Sequence, residues 1–336
     1  AWPEGAGPQA SDLAAAAACS TLVSLAVAAV LIRARRRRGS VASALTRLLA
    51  PWGAAATQLS VAPLAGAGFG AEVAGLDLGE PVAPSVAQRL REELRKHGLL
   101  LFRDQELGQG DMLRAAEVFG HPVPASGQGA PLAIYRVKDR DRLKRGADFW
   151  HSDNSFAPIP GGPTMLYALT VPHDADGRPQ GDTLFADAGA AASELPLALR
   201  QRVGSLRAAH NLAHNGGVPL PEFATGEWQE QPDTEHAVLR RNPLTGDEVL
   251  FVSPAYVRRI IGVPPVDSVQ LLDELYRHVL QPCYVHRHIW REGDLLVWDN
   301  GRLLHRATTL DMAPGAERLM WRVQTAGPGV VDEAAP

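Results

Sequence analysis

Much that would settle the chain's class is missing. Only two cysteines, Cys19 and Cys283, occur in 336 residues, and they stand far apart. They make no framework, which argues against a disulfide-stapled secreted domain and leaves the redox compartment open. Positive charge is not in excess: 33 Lys and Arg face 37 Asp and Glu, a net −4. Nothing in that balance recommends nucleic acid as a partner. No C-x-x-C, no Walker loop and no G-x-S-x-G is found. "GAGFGAEVAG" (Gly66 to Gly75) meets the dinucleotide fingerprint only with Ala71 in the last glycine's place. No clear strand–turn–helix unit surrounds it, so it carries little weight. What is there is an ordinary globular composition, 46% hydrophobic and 21% charged. The length suffices for one large domain with appendages or two small ones.

The first fifty residues differ from the rest. "LAAAAACSTLVSLAVAAVLI" (Leu13 to Ile32) holds no charge, and "RARRRRGS" comes directly after it. Twenty such residues at ~1.5 Å rise just span a bilayer core. The basic cluster would keep the rest of the chain on the cytoplasmic, matrix or stromal side. Alanine is weakly hydrophobic, and "SVASALTRLL" (Ser40 to Leu49) is rich in Ser, Leu and Arg without acids, as transit peptides are. Residues 1–56 therefore read as a targeting segment, a membrane anchor with membrane contact through residues 13–38, or an extension without a role. Residues 57–330 read as one domain, and 331–336 as a tail. Localisation is to an organelle or membrane if that segment acts, and cytoplasmic otherwise.

From Thr57 onward, short alternating runs are punctuated by Gly and Pro. "PSVAQRLREELRKHG" predicts an amphipathic helix capped by Ser85, with Leu90 and Leu94 inward and Gly98 at its end. "GDMLRAAEVFG" predicts a second, capped by Asp111, and "SELPLALRQRVGSL" another from Ser193. "VDSVQLLDELYRHVL" predicts a helix capped by Asp267, burying Leu271, Leu272, Leu275 and Val279. "GLLLFRDQ", "PTMLYALTVP", "DLLVWDN" and "RLMWRVQTAG" read as strands, and "AVLRRNPLTGDEVLFVS" as a hairpin turning through Asn242–Gly246. Many short strands with scattered helices predict a barrel or jelly roll.

In "FWHSDNSF", His151 and Asp153 stand two apart. On an extended segment that spacing puts both side chains on one face. The bland reading is a surface turn, since a bare H-x-D is weak. The sharp reading is two of the three ligands of iron(II), bound by two His and a carboxylate with open positions opposite. That needs a distal His, and His305 in "WDNGRLLHRATTL" qualifies. It also needs a cation for a carboxylate cosubstrate. Arg318 and Arg322 lie 13 and 17 residues beyond His305, on one face of a strand. The other histidines read as structural or surface residues. His210 and His214 lack the Glu of a zinc motif, and His286 and His288 have no acidic neighbour in the sequence.

Several blocks in order resemble one family. These are "AEVAGLDLGEPV", "LLLFRDQELGQGDMLRAAEVFG", "FWHSDNSF", "PQGDTLFADAGAA", "VLRRNPLTGDEVLFV" and "WDNGRLLHRAT…RLMWRVQTAG". Together they resemble the taurine/alpha-ketoglutarate dioxygenase family of non-haem iron enzymes, over about residues 57–328. The resemblance implies a mainly β fold with helical insertions, the double-stranded β-helix (jelly roll, cupin-like). It implies iron(II) on His151, Asp153 and His305, 2-oxoglutarate as cosubstrate and O2 as oxidant. Thr183 and Arg318 would bind the distal carboxylate of 2-oxoglutarate. Arg322 would face a small anionic substrate, and His121 would touch it. Ala147 stands where taurine-specific members carry a substrate-binding asparagine, which departs from the taurine pattern. Asp153 stands where halogenating relatives carry a small residue, which favours hydroxylation. The expected substrate is sulfonate-like or a carboxylate. The rivals are action on sulfate esters or other carboxylates, or a catalytically silent jelly-roll binding protein anchored to a membrane. A homo-oligomer is compatible with all of these.

Overall fold

The computed structural model describes residues 59–124, 130–138, 148–217 and 232–327. Residues 1–56, including the basic and apolar stretch 13–38, lie outside the described residues. So do Arg140, Arg142, Lys144, Arg145 and Ala147, and the tail 331–336. The chain divides between Leu59 and Ser60, and all the described strands and helices belong to the second unit. Among the described residues no helix is long and apolar enough to cross a membrane.

The frame is a jelly roll of two facing sheets. The larger contains β1 (Ser60–Pro63), β2 (Ala71–Ala74), β3 (Leu99–Phe102), β4 (Pro122–Val123), β5 (Leu132–Lys138) and β6 (Thr164–Thr170). It is completed by β14 (Leu295–Trp298) and β16 (Glu317–Thr325). Its order is β1-β2-β3-β14-β6-β16-β4, with β5 also paired to β16. The smaller sheet sets β7 (Thr183–Asp187) between β13 (Val285–His288) and β15 (Leu303–Ala307). β8 (Arg207–His210) lies between β9 (Thr234–Ala237) and β12 (Val257–Ile260), and β10 (Leu239–Arg241) forms a hairpin with β11 (Glu248–Leu250).

The continuous apolar runs become strands because both their faces are covered. All four residues of β3 and all four of β14 are buried. Leu99, Leu101, Leu296, Trp298 and Met320 of the large sheet meet Phe185 and Leu303 of the small one in a single core. A second core covers the outer side of the small sheet. There Ala186 and Leu304 pack with Leu271, Leu272, Leu275 and Val279, the four residues expected inward on α5 (Pro265–Val279).

The helices correct several expected caps. α1 (Pro84–His97) and α5 each begin on a proline, whose missing N–H is one of those a first turn leaves unbonded, and neither has a side-chain cap. Ser85 and Asp267 therefore sit inside first turns. In α2 (Gln109–Glu117), Asp111 occupies the third position and accepts from the Gly108 N–H at 2.7 Å. Gly98 does end α1, left-handed at φ 73°. The helix expected from Ser193 starts later, as α4 (Leu197–Val203) behind Pro196, and Ser193 instead ends a short helix that was not expected, α3 (Ala188–Ser193). The cap of α3 is Asp187, which accepts from the Gly189 and Ala190 N–H groups at 3.0 Å. The hairpin forms where expected, with Arg241 opposite Glu248 and Gly246 at φ 80°.

Candidate active site

β15 carries His305 on the face that meets the interior. Its cross-strand neighbour is Phe185, whose ring stacks on the imidazole at 6.1 Å. His151, far upstream, is clipped to it by a two-residue antiparallel bridge. The His151 N–H donates to the His305 carbonyl at 3.0 Å and the His305 N–H to the His151 carbonyl at 2.8 Å. The carbonyl of Phe149 accepts from His151 Nδ1 at 2.7 Å. A carbonyl can only accept, so Nδ1 carries the proton and Nε2 keeps its lone pair. Two residues on, Asp153 precedes a sharp turn at Asn154, φ 53°, a left-handed conformation that asparagine tolerates.

The three side chains converge. One ligand atom from each of His151, Asp153 and His305 lies within 4.8 Å of the other two, and all three residues are buried. Asp153 Oδ1 is 3.7 Å from His151 Nε2 and 3.8 Å from His305 Nε2. These separations are too long for hydrogen bonds and short enough for one ion to touch all three. Two imidazoles and one carboxylate are the donor set of a facial non-haem iron site, so the residues fit that metal. Burial lowers the pKa of His151, and lowers that of His305 further, with His151 adding to the second shift. Both imidazoles are thus neutral, as ligands must be. For Asp153, burial works to raise the pKa, but Arg322, His305 and His151 outweigh it and hold the carboxyl well below the usual carboxylate range.

The other oxygen of Asp153 is held apart from the ligand face. Oδ2 pairs with Arg322 Nη2 at 2.6 Å and accepts from Thr164 Oγ1 at 3.1 Å. The Arg322 pKa is raised: its burial opposes the charge, but Asp153 prevails. Arg322 also donates to the Tyr135 hydroxyl at 3.1 Å. Asn300 ties the loops together. Its side chain donates to the Gly162 carbonyl and Thr164 Oγ1, both at 2.7 Å, and accepts from Trp298 Nε1 at 3.0 Å and the Asp153 N–H at 3.3 Å. Its carbonyl takes Ser152 Oγ at 2.6 Å.

Thr183, two positions from Phe185 on β7, shares the face that meets His305. Arg318 Nη2 points at Thr183 Oγ1 from 3.5 Å, and Arg318 Nε has no hydrogen-bond partner among the described residues. Gly181 makes room for this arginine: a Cβ there would stand 2.8 Å from Arg318 Cδ. Burial lowers the guanidinium from its usual range to about 10, against the pull of Asp148 and Asp182. A buried cation this poorly bonded suits an incoming carboxylate.

Of the residues expected at the site, His151, Asp153 and His305 come together, with Arg322 against Asp153 and Arg318 against Thr183. His121 does not join them. It is exposed beside β4, and its carbonyl accepts from the Ala326 N–H at 2.8 Å. Thr164, Tyr135 and Tyr256 join the site without any signal in the sequence. The Tyr256 ring stands edge-on to His151 at 6.0 Å and to Phe156 at 5.0 Å. Asn300 sits in the "WDN" block, which holds no local sign of its wider bonds.

A jelly roll that gathers two imidazoles and a carboxylate beside a buried arginine defines a class, the non-haem iron oxygenases that use a carboxylate cosubstrate. Residues 60–324 match the family model described as taurine catabolism dioxygenase TauD, TfdA family. The alpha-ketoglutarate-dependent 2,4-dichlorophenoxyacetate dioxygenase of Cupriavidus pinatubonensis is 30% identical over 285 residues, 78% of this chain and 96% of that protein. An alpha-ketoglutarate-dependent sulfate ester dioxygenase of Pseudomonas putida is 28% identical over 285 residues, 81% and 91% of the two chains. The crystal structure of a taurine dioxygenase from Burkholderia xenovorans superposes with a TM-score of 0.66 at 28% identity, covering 80% of this chain and 91% of that one. The chain belongs to the TauD/TfdA family, and it is an iron(II)- and 2-oxoglutarate-dependent dioxygenase.

Proposed function

We propose that His151, Asp153 and His305 hold iron(II), and that the enzyme hydroxylates a small organic anion. The convergence of those three ligand atoms within 4.8 Å carries the assignment. Thr183 and Arg318 take the distal carboxylate of 2-oxoglutarate. The under-bonded Arg318 guanidinium supports that role. When bound, iron and cosubstrate supply oxygen activation: 2-oxoglutarate is decarboxylated to succinate and carbon dioxide, one oxygen atom of O2 enters succinate, and the other enters a substrate C–H bond.

The chain's own residues prepare the site. The Phe149 carbonyl fixes the His151 tautomer. Arg322 and Thr164 occupy Asp153 Oδ2 and leave Oδ1 to face the two imidazoles. Phe156 and Tyr256 form an aromatic wall beside His151, which excludes water from that side. Arg322 faces the substrate as well and favours a negative group on it. His121 receives no role, because its side chain makes no contact with these groups. Relatives named for phenoxyacetate and for sulfate ester oxidation support an anionic substrate. A sulfate ester or another carboxylate in place of a sulfonate is the second reading. A silent binding protein is disfavoured by the complete donor set.

The test is a 2-oxoglutarate turnover screen over sulfonates, carboxylates and sulfate esters, with iron(II) and ascorbate. Succinate should form with one of these classes, and His151→Ala should lose both metal and turnover. A chain that binds no iron, and is unaffected by His151→Ala, would sink the assignment. Residues 1–56 stand in this proposal as a targeting or anchoring segment ahead of a 57–330 catalytic domain. Fractionation of the mature chain, with sequencing of its N-terminus, tests that part.

A further inference from the structure

We propose that Trp290 is a positioning residue for the cosubstrate. Its indole N–H turns the Thr183 hydroxyl into a donor, and its ring supports the Arg318 guanidinium, so that both groups await the distal carboxylate of 2-oxoglutarate. The proposal rests on the assignment of Thr183 and Arg318 to that carboxylate.

Trp290 is fully buried, just beyond β13. Because β13 pairs with β7 so that His288 faces Thr183, the chain two residues later returns over the threonine. Trp290 Nε1 donates to Thr183 Oγ1 at 3.0 Å. Arg318 Nη2 approaches the same oxygen at 3.5 Å. Indole N–H and guanidinium are donors only, and a hydroxyl has two lone pairs and one proton. With donors on the acceptor side, the hydroxyl proton must point elsewhere. Thr183 is then set to give its proton to an anion rather than to receive one. The same indole lies 5.7 Å from Arg318 Cζ, within cation–π range.

The indole is itself braced. His288 stands edge-on to it at 4.6 Å and 85°. His288 Nε2 meets Asp294 Oδ2 at 3.1 Å, and that oxygen also takes Arg103 Nη1 at 2.6 Å. A buried tryptophan in an ordinary core needs some partner for its N–H, so the contact with Thr183 alone could be structural. The two roles separate in what they change. A structural contact moves stability, whereas a positioning contact moves cosubstrate affinity.

The experiment titrates 2-oxoglutarate into the full chain loaded with zinc(II), followed by calorimetry. Trp290→Phe keeps the aromatic packing and removes the N–H. We expect its dissociation constant to rise about threefold to tenfold, with zinc stoichiometry unchanged. A value within twofold of wild type, while Thr183→Val and Arg318→Gln both weaken binding, overturns the role of Trp290. If those two variants also leave binding unchanged, the cosubstrate assignment falls and the proposal with it. Should Trp290→Phe not fold, the wild-type zinc protein with 15N-labelled tryptophan gives a second readout. The indole N–H resonance that Thr183→Val displaces should also shift on adding 2-oxoglutarate. A resonance indifferent to 2-oxoglutarate overturns the proposal.

Discussion

Replacing Arg318 with methionine should make the metal-free protein more stable and nearly blind to 2-oxoglutarate. The guanidinium is buried and, among the described residues, has one hydrogen bond at 3.5 Å and an unpartnered Nε. Burial depresses its pKa from the usual guanidinium range to about 10, worth roughly 3 kcal/mol against the charged form. Exchanging a poorly compensated buried charge for an apolar side chain of similar length returns about 1–3 kcal/mol. In a domain of this size that raises Tm by about 2–10 °C. The same exchange removes a charge-assisted pair from the cosubstrate, worth about 2–5 kcal/mol, so affinity should fall at least about 30-fold. Scanning calorimetry of the metal-free proteins gives the first quantity. The Tm shift on adding zinc(II) and 2-oxoglutarate gives the second, because only a bound ligand stabilises by mass action. A variant that melts several degrees lower than wild type, and still gains stability from 2-oxoglutarate, would refute the reasoning. Arg318 would then be a structural cation satisfied by Asp148 and Asp182.

The hydrogen bonds and titrating groups give two further predictions. Asn300→Ala strands the Trp298 indole N–H, the Asp153 N–H and the Gly162 carbonyl; it should cost about 3–5 kcal/mol by urea unfolding and weaken metal binding, and a loss below about 1 kcal/mol would contradict the assigned network. The pKa of His286 is lowered to about 4, by burial first and then by His288 and Arg103. Burial likewise lowers His151, His210, His288 and His305. In each case the unfolded chain binds more protons than the folded one below about pH 6.5. Stability is therefore fully present above pH 6.5 and is lost as pH falls towards 4. His286 alone, after allowance for solvent screening of its partly wet ring, costs roughly 1–2 kcal/mol by pH 5. Asp148 and Asp299, raised by burial, act in the opposite direction at the acid end. Urea midpoints of the metal-free protein between pH 7.5 and 4.5 check the sign, and a flat profile would refute it.

Most of the fold was legible locally. The apolar runs at Leu99–Phe102 and Leu295–Trp298 are strands because nothing in them can face water on either side. The Leu271, Leu275 and Val279 spacing fixed the inner face of α5. The missed features were settled by single residues. Pro84 and Pro265 displaced the expected caps, and Pro196 delayed to Leu197 the helix expected from Ser193. At the site, His151, Asp153, His305, Arg318 and Arg322 could be named from spacing, order and family resemblance. Thr164, Tyr135 and Tyr256 could not, since each acts through partners far away in the chain.

The sequence by itself determined the donor set and the alternation that makes strands, because ligand chemistry and the period of two are local properties. Only the tertiary structure decided how those parts are used. The backbone bridge between His151 and His305, the division of Asp153 between an oxygen facing the imidazoles and one held by Arg322, and the placing of the Trp290 indole against Thr183 all join distant segments. Such contacts depend on strand register, and no stretch of sequence carries the register of a partner it has not yet met.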